Sequence, residues 1–214
     1  MMSSNIADIR QEYSRQKLNR HEVLPDPVEQ FKKWFDEANN SNITDVNACT
    51  LSTADQEGRP SGRIVLLKGV EDGNFLFYTN YESQKGKELE ANPFASMTFY
   101  WKELERQVRI QGKVVKTSQE TSDEYFQSRP RKSRVGAWIS PQSQPIPSRI
   151  HLMRLFVAKE MKLMGGKVEL PPNWGGFAIS PDRIEFWQGR PNRLHDRVNF
   201  TLEDGNWVIN RLAP

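Results

Sequence analysis

The chain has 214 residues with a formal net charge of +3, which is long enough for one domain, or one elaborated domain, with a real core. Six tryptophans and eleven phenylalanines argue against disorder, and no run of roughly 18 apolar residues is present to span a membrane. The single cysteine, Cys49, excludes an internal disulfide, and three histidines far apart in sequence give no metal-binding pattern.

Residues 1–20 are polar and carry no apolar core of the kind found in a signal peptide. We expect them to form a partly mobile N-terminal arm, and an exposed tail is the simplest interpretation. Residues 21–214 are expected to form a single domain. Without a signal or a membrane span, a soluble cytoplasmic protein is the default expectation. Cys49 lies in an apolar run and is expected to be a buried, inert thiol.

Short strands separated by turn residues dominate the rest of the chain, which predicts a mainly β fold with flanking helices and suggests a barrel. Turns are expected at 55–58, 71–74, 181–182 and 203–206. We predict strands over 48–53, 61–70, 75–79, 94–101, 107–116, 174–179, 183–188, 197–202 and 207–211. We predict helices from Pro27 to about Asn40, from a Ser83 cap to about 91, after a capping box at 117–120, and from Ser148 or Arg149 to about 165.

The helix near 149–165 should bury one apolar side, formed by Leu152, Leu155, Phe156 and Met161. The segment 140–147 is too rich in proline for a helix or a central strand.

Three basic segments are candidates for anion binding. The strand 63–68 has Arg63 and Lys68 at its two ends, although both long side chains could instead snorkel to solvent. The helix start at 83–85 could hold a phosphate on its free N–H groups, although many capped helices hold none. The segment 125–134, expected to be a loop, carries four basic residues and suits a phosphate clamp, a nucleic-acid-binding patch or simply a solvated surface.

The segment 184–197 contains the densest set of candidate side chains. Arg193, His195 and Arg197 are spaced two apart, so they would share one face if this stretch were extended. Guanidinium forks suit phosphate or carboxylate, and imidazole can carry a proton near neutral pH. A solvated basic edge strand would explain the same pattern.

Eight motifs, in this order, resemble the pyridoxamine 5′-phosphate oxidase family over nearly the whole chain, from about Arg10 to Pro214. They are Arg63–Lys68, Phe77–Asn80, Leu104–Val108, Ser128–Arg131, Gly136–Trp138, Trp174–Phe177, Glu185–Gly189 and Asn192–Arg197.

The resemblance implies an FMN-binding split β-barrel that works as a homodimer with FMN at the subunit interface. It implies oxidation of pyridoxamine 5′-phosphate and pyridoxine 5′-phosphate by dioxygen to pyridoxal 5′-phosphate, with hydrogen peroxide released, and ammonia from the amine. The family therefore places this chain in vitamin B6 metabolism, with no metal, nucleic acid or membrane as a partner.

Matching the family's motifs residue by residue gives two expected ligand sets. The FMN set is Arg63, Ile64, Val65, Leu66, Leu67, Lys68, Tyr78, Thr79, Gln84, Lys85, Gln107, Gln142, Ser143, Trp187 and Arg197. The substrate set is Arg10, Tyr13, Lys68, Tyr125, Arg129, Ser133, Arg193, Leu194 and His195. Within it, Arg193 and His195 are the expected catalytic residues over the ring, and Asp45 joins Arg10 and Tyr13 in closing the site.

One position departs from the family, which commonly has Ser-Arg-Lys where this chain has Ser83-Gln84-Lys85. The loss of a guanidinium predicts weaker binding of the FMN phosphate rather than its loss.

Two other classes compete with this interpretation. A split-barrel module that binds flavin or haem without oxidase activity would not need the substrate set, which is present here. A nucleic-acid-binding barrel should interleave aromatic and basic residues on a strand face, whereas the basic residues here fall at loops and strand ends.

Overall fold

The computed structural model describes residues 12–214. Its strands are β1 (Ala48–Ala54), β2 (Pro60–Leu66), β3 (Gly69–Glu71), β4 (Asn74–Asn80), β5 (Phe94–Trp101), β6 (Arg106–Lys116), β7 (Trp174–Gln188), β8 (Asp196–Glu203) and β9 (Asn206–Arg211). Its helices are α1 (Pro27–Asn39), α2 (Gln84–Ala91), α3 (Gln119–Ser128), α4 (Arg131–Ile139) and α5 (Arg149–Leu163). None of these helices is long and apolar enough to cross a membrane.

The strands pair in the order β2-β1-β5-β6-β7-β4-β3, and β8 pairs with both β7 and β9. The chain divides into two compact units. Among the described residues, unit 1 comprises 12–49, 97–110 and 182–214, and unit 2 comprises 50–96 and 111–181. The placement of Arg10, which falls within the first eleven residues, lies outside the described part of the chain.

The core of unit 1 is aromatic. Trp34 of α1 meets Phe186 of β7 edge to face with ring centroids 5.2 Å apart, and Phe186 meets Phe200 of β8 at 5.7 Å. The helix α1 forms as predicted, because the Asp26 carboxylate accepts hydrogen bonds from the backbone N–H groups of Val28 and Glu29. Strands β7 and β8 are antiparallel, and their register places Ile184 opposite Phe200 and Trp187 opposite Arg197.

Residues 12–20 are mostly exposed, but hydrogen bonds from their backbone attach them to the rest of unit 1. Leu18 is buried, and its backbone N–H donates to Asp196 at 3.2 Å. The N–H groups of Ser14 and Arg15 both donate to one carboxylate oxygen of Glu105. These bonds hold this segment against the rest of unit 1.

The core of unit 2 includes a cluster formed by Phe126, Val135, Val168 and Trp174. Strand β4 pairs with the first half of β7, with Tyr78 opposite Gly176. A Cβ on Gly176 would crowd the Tyr78 ring and the Thr117 hydroxyl, so the glycine allows this close approach. Cys49, in unit 1, is buried as expected, and burial raises the pKa of its thiol to about 12.

Two strand predictions were wrong. The predicted strand 61–70 is two strands, β2 and β3, separated at Leu67 and Lys68. The predicted turn at Pro181 and Asp182 does not exist, since β7 runs unbroken through it. Pro181 lies between the stretch that pairs with β4 and the stretch that pairs with β8, so neither ladder needs its missing N–H.

Three predictions about the helical regions also need correction. The basic segment 125–134 is mostly helical, because α3 continues to Ser128 and α4 starts at Arg131. The cap of α3 is Ser118, whose hydroxyl accepts from the Thr121 N–H, rather than Thr117. The predicted apolar side of α5 is not buried, since Leu155 and Met161 are exposed and Phe156 packs only partly against the unit 2 cluster.

Candidate functional site

A cleft of about 280 Å³ in unit 2 gathers many of the candidate residues. One side of the cleft is formed by the end of β2 with Lys68 after it, the end of β4 and the start of α2. The other side is formed by α3 and the segment 140–147. Its walls are formed by Arg63, Ile64, Val65, Leu66, Lys68, Tyr78, Thr79, Lys85, Tyr125, Arg129, Gln142 and Trp174.

Aromatic rings make one wall of this cleft. Tyr78 stacks on Tyr125 with centroids 3.9 Å apart, and both rings lie nearly parallel to Trp174. The guanidinium of Arg129 lies over the Trp174 ring at 4.6 Å, and the ammonium of Lys68 lies 6.0 Å from the centre of the Tyr125 ring. The rings therefore hold two cations in place without neutralising them.

Within the described residues, neither Lys68 nor Arg129 has a carboxylate partner, and Arg129 Nη1 is buried without a hydrogen-bond acceptor. Burial lowers the pKa of Arg129, partly offset by Tyr125, although a guanidinium remains charged at neutral pH. A buried donor without an acceptor is costly. An anionic ligand with several acceptor oxygens, such as a phosphate, fits this pair.

A second group of polar side chains lines the opposite part of the cleft. The Lys85 ammonium donates to Thr79 Oγ1 at 3.2 Å and to Gln142 Oε1 at 3.0 Å, and Thr79 Oγ1 donates to Gln142 Oε1 at 2.9 Å. Burial, followed by the charge of Arg63, lowers the pKa of Lys85, while Glu88 opposes the shift. Lys85 and Arg63 therefore place two like charges on one wall, which also suits a phosphate.

Several predicted residues of unit 2 do not line this cleft. Leu67 is buried, Ser133 is exposed on α4, and Gln84 donates to Glu88 at 2.8 Å. Ser143 follows Gln142 with a left-handed backbone, φ 66°.

Unit 1 holds the other candidates. The ring centroids of His195 and Trp187 are 4.7 Å apart. The ring of Tyr13 lies edge-on to both, with centroids 5.8 Å from His195 and 5.6 Å from Trp187. Gln107 of β6 and Asp45, before β1, also belong to unit 1. The expectation of one extended face for residues 193–197 was wrong. Residues Pro191–Arg193 form a 3-10 turn in which Arg193 has φ 61°, so only Arg197 lies on a strand.

The protonation state of His195 follows from its surroundings. The Arg190 backbone N–H donates to His195 Nδ1 at 3.1 Å, which places the proton of the neutral ring on Nε2. Burial and the nearby charge of Arg193 lower the pKa of His195 below its usual value of 6.5, against an opposing effect of Asp196. His195 is therefore neutral at pH 7 and offers Nε2–H as a donor.

Arg197 is held by a carboxylate that the sequence did not single out. Glu185 is buried, and its two oxygens accept from Arg197 Nε at 2.7 Å and from Arg109 Nη2 at 2.5 Å. The hydrogen bond to Glu185 raises the pKa of Arg197, against the opposing effect of burial. On β7, Glu185 lies between the apolar residues Ile184 and Phe186, so the sequence gives no sign of its role. The two arginines reach it only because β6 and β8 both pair with β7. The sequence likewise gives no sign that Trp174, part of the Trp174–Phe177 motif, stacks under Arg129.

Comparison with known proteins identifies the family. A sequence model described as pyridoxamine 5′-phosphate oxidase matches residues 35–159, and one described as the pyridoxine 5′-phosphate oxidase C-terminal dimerisation region matches residues 174–214. The chain belongs to the pyridoxamine 5′-phosphate oxidase family.

Full-length relatives agree with this assignment. The chain is 57% identical over 211 residues to the pyridoxine/pyridoxamine 5′-phosphate oxidase of Bacteroides thetaiotaomicron, covering 98% of this chain and 99% of the relative. It is 53% identical over 218 residues to the enzyme of the same name from Chromobacterium violaceum, covering all of both chains.

Solved structures confirm the split-barrel fold. PhzG from Burkholderia lata, in complex with tetrahydrophenazine-1-carboxylic acid, superposes with a TM-score of 0.89 at 25% identity, over 95% of this chain and all of that one. A pyridoxamine 5′-phosphate oxidase-related, FMN-binding protein from Nostoc punctiforme gives a TM-score of 0.71 at 17% identity, over 88% and 98% of the chains.

The Glu185 bridge generates a stability prediction. Replacing Glu185 by Gln removes the charge that two arginines share, so we expect the free energy of unfolding to fall by roughly 1–3 kcal/mol. This is less than for a fully buried pair, because Arg109 and Arg197 are partly exposed. Glu57→Gln, which breaks an exposed pair with Arg59, is the matched control and should cost less than about 0.5 kcal/mol. Equal costs for the two variants in denaturant titrations would contradict the bridge.

Proposed function

We propose that this chain is an FMN-dependent oxidase that converts pyridoxamine 5′-phosphate and pyridoxine 5′-phosphate to pyridoxal 5′-phosphate with dioxygen. The observation that carries the proposal is the pair of unneutralised cations, Lys68 and Arg129, held on aromatic rings in the unit 2 cleft. A small planar ring bearing one phosphate matches such a pocket in both shape and charge. The relatives named above carry this activity in their names.

The residues around the cleft fit FMN as the cofactor. Lys85 and Arg63 would hold its phosphate, with Thr79 and Gln142 as neutral partners, and Ile64 to Leu66 would cover apolar surface of the flavin. When bound, FMN supplies the redox chemistry, taking two electrons from the substrate and passing them to dioxygen. The protein's part is to position the ring and to control charge around it.

The cleft of one chain is small for two ligands. Its 280 Å³ lies just below the range of about 300–1,000 Å³ typical of pockets for single drug-sized molecules. A second copy of the chain would supply the missing walls. This agrees with the match of residues 174–214 to a dimerisation region, and we propose a homodimer with FMN at the subunit interface.

The unit 1 residues are assigned to the reacting ring. Arg193 would clamp the substrate ring opposite the flavin, and His195 would donate a hydrogen bond from Nε2–H to its polar edge. Arg197, aimed by Glu185, would supply positive charge to the cofactor. Tyr13, whose ring touches Trp187 and His195, would help to exclude water. We place the reaction in the cytoplasm, which the free thiol of Cys49 permits.

Oxygen uptake tests the proposal. Purified protein supplied with FMN should release one hydrogen peroxide per pyridoxal 5′-phosphate formed from either substrate, and ammonia from the amine alone. A yellow protein that binds FMN but consumes no oxygen with either phosphorylated substrate would instead support a flavin-binding module without this activity.

The state of His195 predicts the acid limb of the pH profile. Because its pKa is lowered, kcat/KM should stay level near neutral pH and fall only below about pH 6.5, as the ring gains a second proton and loses its acceptor for the Arg190 N–H. His195→Gln should lower kcat and remove this limb. His151→Gln, at an exposed histidine on α5, is the control and should keep it. An inflection above 6.5, or one that survives in His195→Gln, would refute the assignment.

A further inference from the structure

Glu88 of α2 is a buried carboxylate beside the cleft that the proposed reaction does not use. One oxygen accepts from Thr53 Oγ1 at 2.5 Å and from Arg63 Nη2 at 3.1 Å. The other accepts from Gln84 Nε2 at 2.8 Å, and Ser61 Oγ lies within 2.8 Å of both. Burial alone would raise the pKa of Glu88, but these hydrogen bonds outweigh it and lower the pKa, so the group is charged at neutral pH.

Arg63, which lines the cleft, has most of its donors occupied by this network. Nη1 donates to the Leu51 carbonyl at 3.3 Å and to Thr53 Oγ1, and Nη2 donates to Ser61 Oγ at 2.5 Å and to Glu88. A guanidinium has five N–H donors. Of the five N–H groups of Arg63, only Nε–H has no acceptor among the described residues. Held in this way, Arg63 cannot present a two-pronged fork to a phosphate.

Glu88 also reduces the positive charge that is available to the FMN phosphate. Arg63 and Lys85 contribute two positive charges and Glu88 one negative charge, which leaves +1 for a phosphate that carries about −1.5 to −2 at pH 7. Gln84 brings no charge and gives its amide donor to Glu88. An arginine at position 84 would lie one helical turn from Glu88 and could pair with it in place of Arg63.

We propose that Glu88 is an affinity-determining residue that competes with the FMN phosphate for the guanidinium of Arg63. Binding the phosphate through two N–H groups requires Arg63 Nη2 to leave Glu88, and Gln84 cannot take its place as a charged partner. Glu88 therefore stabilises the protein without FMN and weakens its hold on FMN. This inference rests on the proposed use of FMN.

The test is a titration of flavin-free protein with FMN, followed by quenching of flavin fluorescence. Glu88→Gln should tighten FMN binding by roughly ten- to a hundredfold, the range for one hydrogen bond to a charged group, while lowering the melting temperature without FMN. A purely structural role for Glu88 predicts that binding and stability fall together. Tighter FMN binding together with a lower melting temperature therefore indicates competition for Arg63, and a fall in both indicates a structural role. Glu90→Gln, an exposed carboxylate on the same helix, is the matched control and should change neither.

A double-mutant cycle tests whether Gln84 acts through Glu88. Gln84→Arg should also tighten FMN binding, and its gain should shrink in the Glu88→Gln background, because both changes release the same arginine. Gains that simply multiply, or a Glu88→Gln variant that binds FMN no tighter than the parent, would overturn this inference alone. Failure of the parent protein to bind FMN at all would instead overturn the proposed function.

Discussion

The proposed phosphate site depends on positive charge that the protein leaves unneutralised. Arg129 is half-buried over Trp174 with one donor atom lacking an acceptor, and Lys68 lies near Tyr125 with no carboxylate partner among residues 12–214. Burying the Arg129 donor without an acceptor costs free energy that the fold alone does not recover, whereas Lys68 is exposed and adds positive charge at the edge of the cleft. A bound phosphate would satisfy both cations at once, which is why this pair, rather than the chain's overall positive charge, points to a phosphorylated substrate.

The arginines of the candidate site fall into two kinds. Arg129 is held by ring stacking and keeps its hydrogen-bonding capacity, so it is ready for a ligand. Arg63 and Arg197 are held by buried carboxylates, Glu88 and Glu185, which aim each guanidinium but also consume its donors. A buried carboxylate that binds an arginine thus fixes the position of the guanidinium but lowers the affinity of that guanidinium for another anion. The distinction matters most for Arg63, where the competing anion and the proposed ligand need the same N–H groups.

Much of the fold followed from local signals, because caps and turns act over a few residues. The helix start at Pro27, the Ser83 cap and the turns at 71–74 and 203–206 are confirmed. The errors came where tertiary context prevailed: Pro181 sits inside a continuous strand, and the basic segment near Arg131 became a helix. The family resemblance supplied the site residues, but residue patterns could not supply Glu185, Glu88 or the stacking of Arg129 on Trp174. Those depend on which strands and helices meet, which no local pattern encodes.

The most direct measurement compares kcat/KM for pyridoxine 5′-phosphate with that for unphosphorylated pyridoxine, in the parent protein and in Arg129→Gln. We expect the parent to prefer the phosphorylated substrate by a large factor, and most of this preference to disappear in the variant while FMN remains bound. This result would identify the substrate phosphate as the ligand that binds Arg129. An unchanged preference in Arg129→Gln, with FMN binding intact, would show that the substrate phosphate binds elsewhere and would contradict the account.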